Sequence, residues 1–147
     1  QLDVKFVRIF NTFGPYMDIN DGRVITNYIK AILEDRPLPI YGDGNQNRSF
    51  CYVDDLINGF LAMMRSNELG PINLGNPHDN FTMNELKCLF ENMTGKTLKA
   101  EYFELPGDDP KQRQPDITLA RERLGWEPRV SLLDGLQKTY EYFSSSN

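Results

Sequence analysis

Residues 39–56 read PIYGDGNQNRSFCYVDDL, and this stretch organises the rest of the chain. A short apolar segment leads into a turn that contains Gly42 and Gly44, and Arg48 follows shortly after it. Glycines let a backbone approach a ligand closely, because they lack a Cβ and tolerate positive φ. An arginine behind such a turn presents a planar fork of donors that matches phosphate oxygens. The stretch therefore predicts a loop that binds an anion.

Composition limits the classes of protein to which the chain can belong. Its 147 residues suit one domain or a part of one, and 39% hydrophobic and 25% charged residues are typical of a soluble globular chain. A net charge of −5 argues against a nucleic-acid partner, which needs a basic face. No run reaches the about 18 apolar residues of a membrane span, so no membrane contact is expected from this segment. Cys51 and Cys88 have no metal or redox spacing and are expected to be buried free thiols.

The spacing of apolar residues predicts a mixed α/β order of elements. Strands are expected at residues 4–10, 38–41, 71–75 and 98–103. Helices are expected from the N-cap Asp21 to Arg36-Pro37, from Asp54 to near Ser66, from the capping box Thr82–Glu85 to Gly95, over 116–124, and after the cap Ser131–Asp134. The second helix has its apolar side chains on one face, which is expected to be core: Leu56, Ile57, Phe60, Leu61 and Met64.

The first strand, Val4–Phe10, is dense in β-branched and aromatic residues. This composition suits a buried strand of a parallel sheet better than an edge strand. No segment precedes it to pair with, so we expect the chain to be the carboxyl part of a larger fold. An uncovered apolar strand also favours pairing with another copy, and self-association is expected.

Two loop arginines, Arg48 and Arg113, are the candidate anion contacts. Each lies a few residues before a predicted helix, and two guanidinium groups could fork onto one diphosphate. The alternative for each is a solvated arginine in a surface ion pair. Only the Gly-x-Gly context of Arg48 favours an anion contact over this alternative. Asn11 and Thr12 follow the first strand, and ligands of α/β sheets bind at the carboxyl ends of strands. No nucleophile elbow or metal-ligand spacing appears.

Six motifs in order resemble the extended short-chain dehydrogenase/reductase family. They are RIFNTFGP at 8–15, NDGRVITNYI at 20–29, LPIYGDGNQNRSFCYVDDL at 38–56, INLGNP at 72–77, DDPKQRQPDI at 108–117 and LGWEP at 124–128. The last two resemble most the branch of UDP-glucuronate decarboxylases, which form UDP-xylose. Sister 4,6-dehydratases and 4-epimerases share the broader pattern, and a non-catalytic sugar-nucleotide binding module is a further alternative.

The resemblance implies an α/β fold class, with residues 1–147 as the carboxyl-terminal, substrate-binding part of an extended family member. Strands 4–10 and 72–74 would be the last strands of its Rossmann-like, NAD(P)-binding sheet. The chain contains no G-x-x-G-x-x-G turn and no Tyr-x-x-x-Lys pair, which hold the dinucleotide and drive hydride chemistry in the family. The chain alone is therefore expected to be inactive.

The resemblance also implies roles for residues around the phosphates and the cofactor. Asn11 matches a contact to the substrate diphosphate, and Arg48 matches the arginine that grips it. Arg113 matches an arginine near the phosphate and sugar that is implicated in decarboxylation, so it is the one catalytic candidate. Thr12 and Tyr16 match cofactor-side positions, although Tyr16 stands where an arginine is usual.

Four further positions match the residues that enclose the uracil and ribose in the family: Val24, Ile25, Pro39 and Tyr41. In the family, bound NAD oxidises C4 of the sugar, the β-keto acid loses CO₂, and the hydride returns. The implied partners are therefore a UDP-sugar, NAD held mainly outside this chain, and either a second copy or the amino-terminal half of the same enzyme. Relatives occur in the cytosol and the Golgi lumen; a cytoplasmic location is expected, with the lumen as the alternative.

Overall fold

A computed structural model describes residues 4–105, 107 and 112–145, and at 112 and 113 it describes the backbone alone. The elements are β1 (Val7–Ile9), β2 (Thr12–Phe13), α1 (Val24–Leu33), β3 (Leu38–Tyr41), β4 (Asn47–Ser49), β5 (Cys51–Tyr52), α2 (Val53–Arg65), β6 (Ile72–Leu74), β7 (Asn80–Thr82), α3 (Met83–Thr94), β8 (Ala100–Phe103), β9 (Gln112–Arg113), α4 (Thr118–Leu124) and α5 (Leu132–Ser145).

Within the described ranges the strands form four small sheets, most of whose pairings are parallel. β1 pairs with β6, β2 with β5, and β3 with β8, each in parallel. In the fourth sheet, β4 lies between an antiparallel β7 and a parallel β9. Parallel pairs that alternate with helices are the mark of an α/β protein, and the predicted fold class is confirmed. The predicted anion loop spans β3, β4 and β5, so two of its strands were missed.

Two hydrophobic clusters hold these elements together. The larger one packs α1, α3 and α5 over β3 and β5, and Tyr28, Phe90 and Leu136 are completely buried there. The smaller one packs α2 and α4 on β6, around Leu74 and Trp126. The larger cluster therefore supports the loop that the sequence singled out.

Asp55 ties the start of α2 to the segment between α4 and α5. Its buried carboxylate accepts hydrogen bonds from the backbone N–H groups of Arg129 and Val130, at 2.9 and 2.8 Å. Its backbone carbonyl accepts the indole N–H of Trp126 at 2.9 Å. A buried carboxylate needs such donors, because an unpartnered buried charge is costly. The second aspartate of VDDL is therefore a structural residue.

The predicted core face of α2 is wrong in part. Leu56 is buried as expected, but Ile57, Leu61 and Met64 are exposed. The buried face is instead centred on Gly59, where an added Cβ would lie 3.0 Å from Leu74 and 3.1 Å from Trp126. A glycine lets the helix approach the sheet closely. A prediction of the buried face from apolar side chains alone overlooks this residue.

The first strand is uncovered in the described part of the chain, as the sequence predicts for the carboxyl part of a larger fold. β1 is shorter than expected, and the neighbouring Phe6 and the strand residue Ile9 are 60% and 56% exposed. Among the described residues, β1 pairs along one edge only, with β6. Its apolar side chains therefore lack the neighbours that would bury them.

Helix ends agree with the sequence at some positions and differ at others. Thr82 and Glu85 form the predicted capping box, and Gly95 and Gly125 end α3 and α4 in the left-handed conformation. Asp21 is not the N-cap of α1; Arg23 is, and the Asp21 carboxylate accepts its backbone N–H. The short polar side chain at 21 still orders the turn before the helix.

The two cysteines lie in different environments. Cys51 is buried as predicted, and burial raises the pKa of its thiol to about 12. Cys88 is exposed on α3, so its predicted burial is wrong. Both are free thiols, as the spacing indicated.

Candidate functional site

A cavity of about 450 Å³ opens between the start of β2, the first turns of α1, and β3 with the loop that follows it. Among the side chains that the structure describes, it collects every predicted site residue except Tyr16: Asn11, Thr12, Val24, Ile25, Pro39, Tyr41 and Arg48. These residues are far apart in the chain, and the fold of β2 and α1 against β3 brings them together.

Much of the cavity lining is apolar. Val24 and Ile25 contribute the first turn of α1, while Pro39 and Tyr41 contribute β3. Tyr28 also lines the cavity, and none of the described residues forms a hydrogen bond with its fully buried hydroxyl. Burial raises the pKa of Tyr28, so the phenol stays neutral. Flat apolar walls of this kind suit a planar ring.

The lining is also cationic. The described lining contains Arg23 and Arg48 and no Asp or Glu, although the whole chain has a net charge of −5. Arg23 donates to the carbonyl of Thr12 at 3.4 Å and lies 3.5 Å from the Asp21 carboxylate, with its side chain 65% exposed. An exposed pair of this kind contributes little stability, so Arg23 can reorient at small cost. The cavity is thus a local positive site on an acidic chain.

Sequence reasoning missed Arg23 as a cavity residue. It stands in NDGR directly before α1, inside one of the motifs that carry the family resemblance. Its position as the residue before the first helical turn is the signal that could have identified it, because helix N-termini attract anions.

Arg48 occupies the middle of β4, between two neighbouring strands. Its Cα is the register partner of Phe81 in β7 and of Arg113 in β9. Its guanidinium donates to the carbonyl of Asn47 at 2.7 Å. The backbone thus places residue 113 directly beside residue 48, although they lie far apart in the chain. The side chain of Arg113 is outside the described part, as are Asp108 and Asp109, so convergence of the two guanidinium groups stays a prediction.

The loop between β3 and β4 is ordered by its own polar groups. Gly42 and Gly44 have φ of 68° and 75°, values that few other residues adopt. The Asp43 carboxylate accepts the backbone and side-chain N–H groups of Asn45, at 3.0 and 2.9 Å. These bonds lower the pKa of Asp43. The positive φ of the turn is therefore a reason for glycine at both positions, in addition to the predicted close approach of a ligand.

The two predicted cofactor contacts differ in position. Thr12 lines the cavity, with its hydroxyl donating to the carbonyl of Phe10 at 2.8 Å. Tyr16 does not line it; its side chain is exposed, its φ is 68°, and its ring lies 4.8 Å from that of Tyr142. Of the two predicted cofactor contacts, Thr12 thus lies at the cavity and Tyr16 does not.

A second cavity, of about 210 Å³, adjoins the first. It is lined by Ile9, Phe10, Asn11, Ser49 and Pro115. Asn11 lines both cavities.

The described part of the chain has neither a metal-ion cluster nor a membrane-spanning helix. No group of three or more His, Cys, Asp or Glu side chains there is arranged to hold a metal ion. None of the helices there has the length and apolar character that crossing a membrane requires.

Comparison with known proteins identifies the family. The model of the NAD dependent epimerase/dehydratase family matches residues 1–75, and the chain belongs to this family. The resemblance predicted from the sequence is confirmed. The chain is 44% identical over 142 residues to UDP-glucuronic acid decarboxylase 3 of Arabidopsis thaliana, a match that covers 97% of this chain and 41% of that protein. It is 45% identical to UDP-glucuronic acid decarboxylase 1 of Xenopus tropicalis, over 97% of this chain and 34% of the relative.

Solved structures of nucleotide-sugar enzymes share the fold. UDP-glucuronic acid 4-epimerase from Bacillus cereus, in complex with UDP-glucuronic acid and NAD, superposes with a TM-score of 0.92 at 32% identity, covering 99% of this chain and 46% of that one. UDP-glucose 4-epimerase from Thermotoga maritima, with UDP-glucose, gives 0.89 at 33% identity, over 95% and 45%. The chain thus spans less than half the length of these relatives.

Proposed function

We propose that this chain is the nucleotide-sugar-binding part of an NAD-dependent decarboxylase that converts UDP-glucuronate to UDP-xylose. The observation that carries the proposal is the cavity itself, whose described lining combines apolar side chains with two arginines and contains no carboxylate. A nucleoside diphosphate has the same two-part character, a flat base and a doubly charged group. The decarboxylases to which the chain is 44–45% identical support the choice of reaction.

Each part of the ligand would have its own partners among the residues that line the cavity. The base and ribose would lie between Val24, Ile25 and the β3 residues Pro39 and Tyr41. The diphosphate would lie at Arg48, because a guanidinium forms strong charge-assisted hydrogen bonds with phosphate oxygens.

The sugar would lie beyond the diphosphate. Asn11 lines both cavities, so the sugar would extend past it into the smaller one. Arg113, beside Arg48 in the sheet, is the residue of this chain proposed to act on the sugar carboxylate.

The residues of this chain fit NAD only at its edge. Thr12 would contact it from the cavity, whereas Tyr16 lies away from the cavity against Tyr142. When bound, NAD supplies the hydride acceptor that the family's reactions require. Its binding turn would be provided by protein outside this chain, and the role of this chain is to hold and orient the nucleotide sugar.

An epimerase or dehydratase reaction on the same ligand class is the second candidate. The solved 4-epimerase structures that superpose with a TM-score of 0.92 and 0.89 favour it, because their fold in this region is the same. A non-catalytic binding module is the third reading. The binding step is common to all three, and the product formed by a completed enzyme separates them.

We expect the chain to bind UDP, and Arg48→Ala to weaken binding by about 2 kcal/mol, or roughly thirtyfold in Kd, because the charge-assisted contacts to the diphosphate are lost. Isothermal titration calorimetry measures this. Arg36→Ala is the matched control, since Arg36 is exposed, pairs with Glu34 and lies outside the cavity. Equal affinities of Arg48→Ala and Arg36→Ala, or no binding of UDP by the unaltered chain, would contradict the proposal.

The purified chain, supplied with UDP-glucuronate and NAD, is expected to release no UDP-xylose, because it contains neither the glycine-rich turn nor the Tyr-x-x-x-Lys pair. Chromatography of the nucleotide sugars after prolonged incubation checks this expectation. UDP-xylose in that assay would show that hydride chemistry proceeds without these motifs, and the division of labour proposed here would be wrong.

We also propose that β1 and β6 belong to the dinucleotide-binding sheet and that a partner covers β1. The partner is either a second copy or the amino-terminal half of the same enzyme. Exposure of Phe6 and Ile9, together with the single paired edge of β1 in the described part, supports this. An apolar strand with an open edge is a template for pairing.

Sedimentation velocity at micromolar concentration is expected to show species larger than a monomer for the isolated chain. Ile9→Lys should shift the distribution toward monomer, because a lysine on an edge strand opposes pairing. Lys99→Ala, at an exposed position just before β8, is the control and should leave the distribution unchanged. A single monomeric boundary for the unaltered chain would count against self-association.

A further inference from the structure

The loop that leads to Arg48 is held from outside by the start of α3. The side-chain amide of Asn84 donates to the carbonyl of Asp43 at 3.0 Å and to the side-chain oxygen of Asn45 at 3.4 Å. Its backbone N–H donates to the carbonyl of Gly44 at 3.1 Å. One residue, about forty positions away in sequence, thus bonds three consecutive loop residues.

Gly44 fits closely against the same side chain. A Cβ built on Gly44 would lie 2.5 Å from the Asn84 side-chain oxygen, which is far inside contact distance. Gly44 also has a φ of +75°. The glycine of the loop and the asparagine of the helix are therefore complementary, and the loop has little room to move toward α3.

The strand that carries Arg48 is held by the residues just before Asn84. In the pairing of β4 with β7, Asn47 is opposite Thr82 and Arg48 is opposite Phe81. Thr82 begins α3 through its capping box with Glu85. The segment 80–84 therefore fixes the loop at residues 43–45 and the strand at 47–48. Asn84 is the only side chain among the described residues that bonds both Asp43 and Asn45 from outside the loop.

We propose that Asn84 is a positioning residue that presets the loop and Arg48 for a diphosphate. This rests on the proposed nucleotide-sugar function. A loop that is ordered before binding loses less conformational entropy on binding, so its ligand binds more tightly. Asn84 is absent from the lining of the cavity and acts through Asp43, Gly44 and Asn45. It therefore affects the part of the affinity that comes from the phosphates and not the part that comes from the base.

Calorimetry with UDP and with uridine tests this on the whole chain. Asn84→Ala is expected to weaken UDP binding roughly tenfold and to leave uridine binding unchanged. Asn84→Asp, which keeps the size of the side chain but cannot donate to the Asp43 carbonyl, is expected to lose affinity similarly and guards against a folding defect in the alanine variant. Asn92→Ala, an exposed asparagine on the same helix, is the matched control and should change neither affinity.

A double-mutant cycle with Arg48→Ala completes the test. If Asn84 acts through the Arg48 loop, its substitution has little further effect on UDP binding once Arg48 is removed. Unchanged UDP affinity in both Asn84 variants, equal losses for UDP and uridine, or full additivity with Arg48→Ala overturns the inference. Failure of the unaltered chain to bind UDP is a different result, since it refutes the proposed function and the inference falls with it.

Discussion

A diphosphate gives up its water only where cations and hydrogen-bond donors are already in place to replace it, because a bare charge is costly to desolvate. This constraint is severe for a chain with a net charge of −5. The fold meets it by gathering Arg23 and Arg48 in a cavity whose described lining contains no carboxylate. Apolar residues of the same lining, such as Ile25 and Tyr28, belong to the larger core, so the base and the phosphates would be accommodated by different physical means.

The position of Arg48 depends on strand pairing more than on its own contacts. β4 is short, and a three-residue strand has little stability unless it is paired. It lies between β7 and β9, which bring Phe81 and Arg113 into register with it. The loop before it is ordered by two glycines, by the Asp43 carboxylate and by α3. The proposed anion site is therefore a product of the sheet and of α3, and the larger core supports both.

Much of the site could be predicted from the sequence because its signals are local. The glycines, Arg48 and the capping box of α3 each follow from a few adjacent residues, and the motif resemblance supplied the positions that are proposed to enclose the base. Other features depend on contacts between distant segments. The buried face of α2 depends on the fit of Gly59 against Leu74 and Trp126. Asn84 contacts the loop between β3 and β4 only in the folded chain. The exposure of β1 depends on which neighbours the strand has, which its own composition cannot tell.

The most direct test of the account is an NMR titration of the isotopically labelled chain with UDP. The account predicts that amide resonances of Asn11, Val24, Ile25, Tyr41 and Arg48 shift together with one saturation curve. It also predicts that those of β6 and Trp126, in the smaller cluster, stay unchanged. Shifts concentrated in β6 and Trp126, or no shifts around Arg48 at saturating UDP, would contradict the claim that this cavity binds the nucleotide.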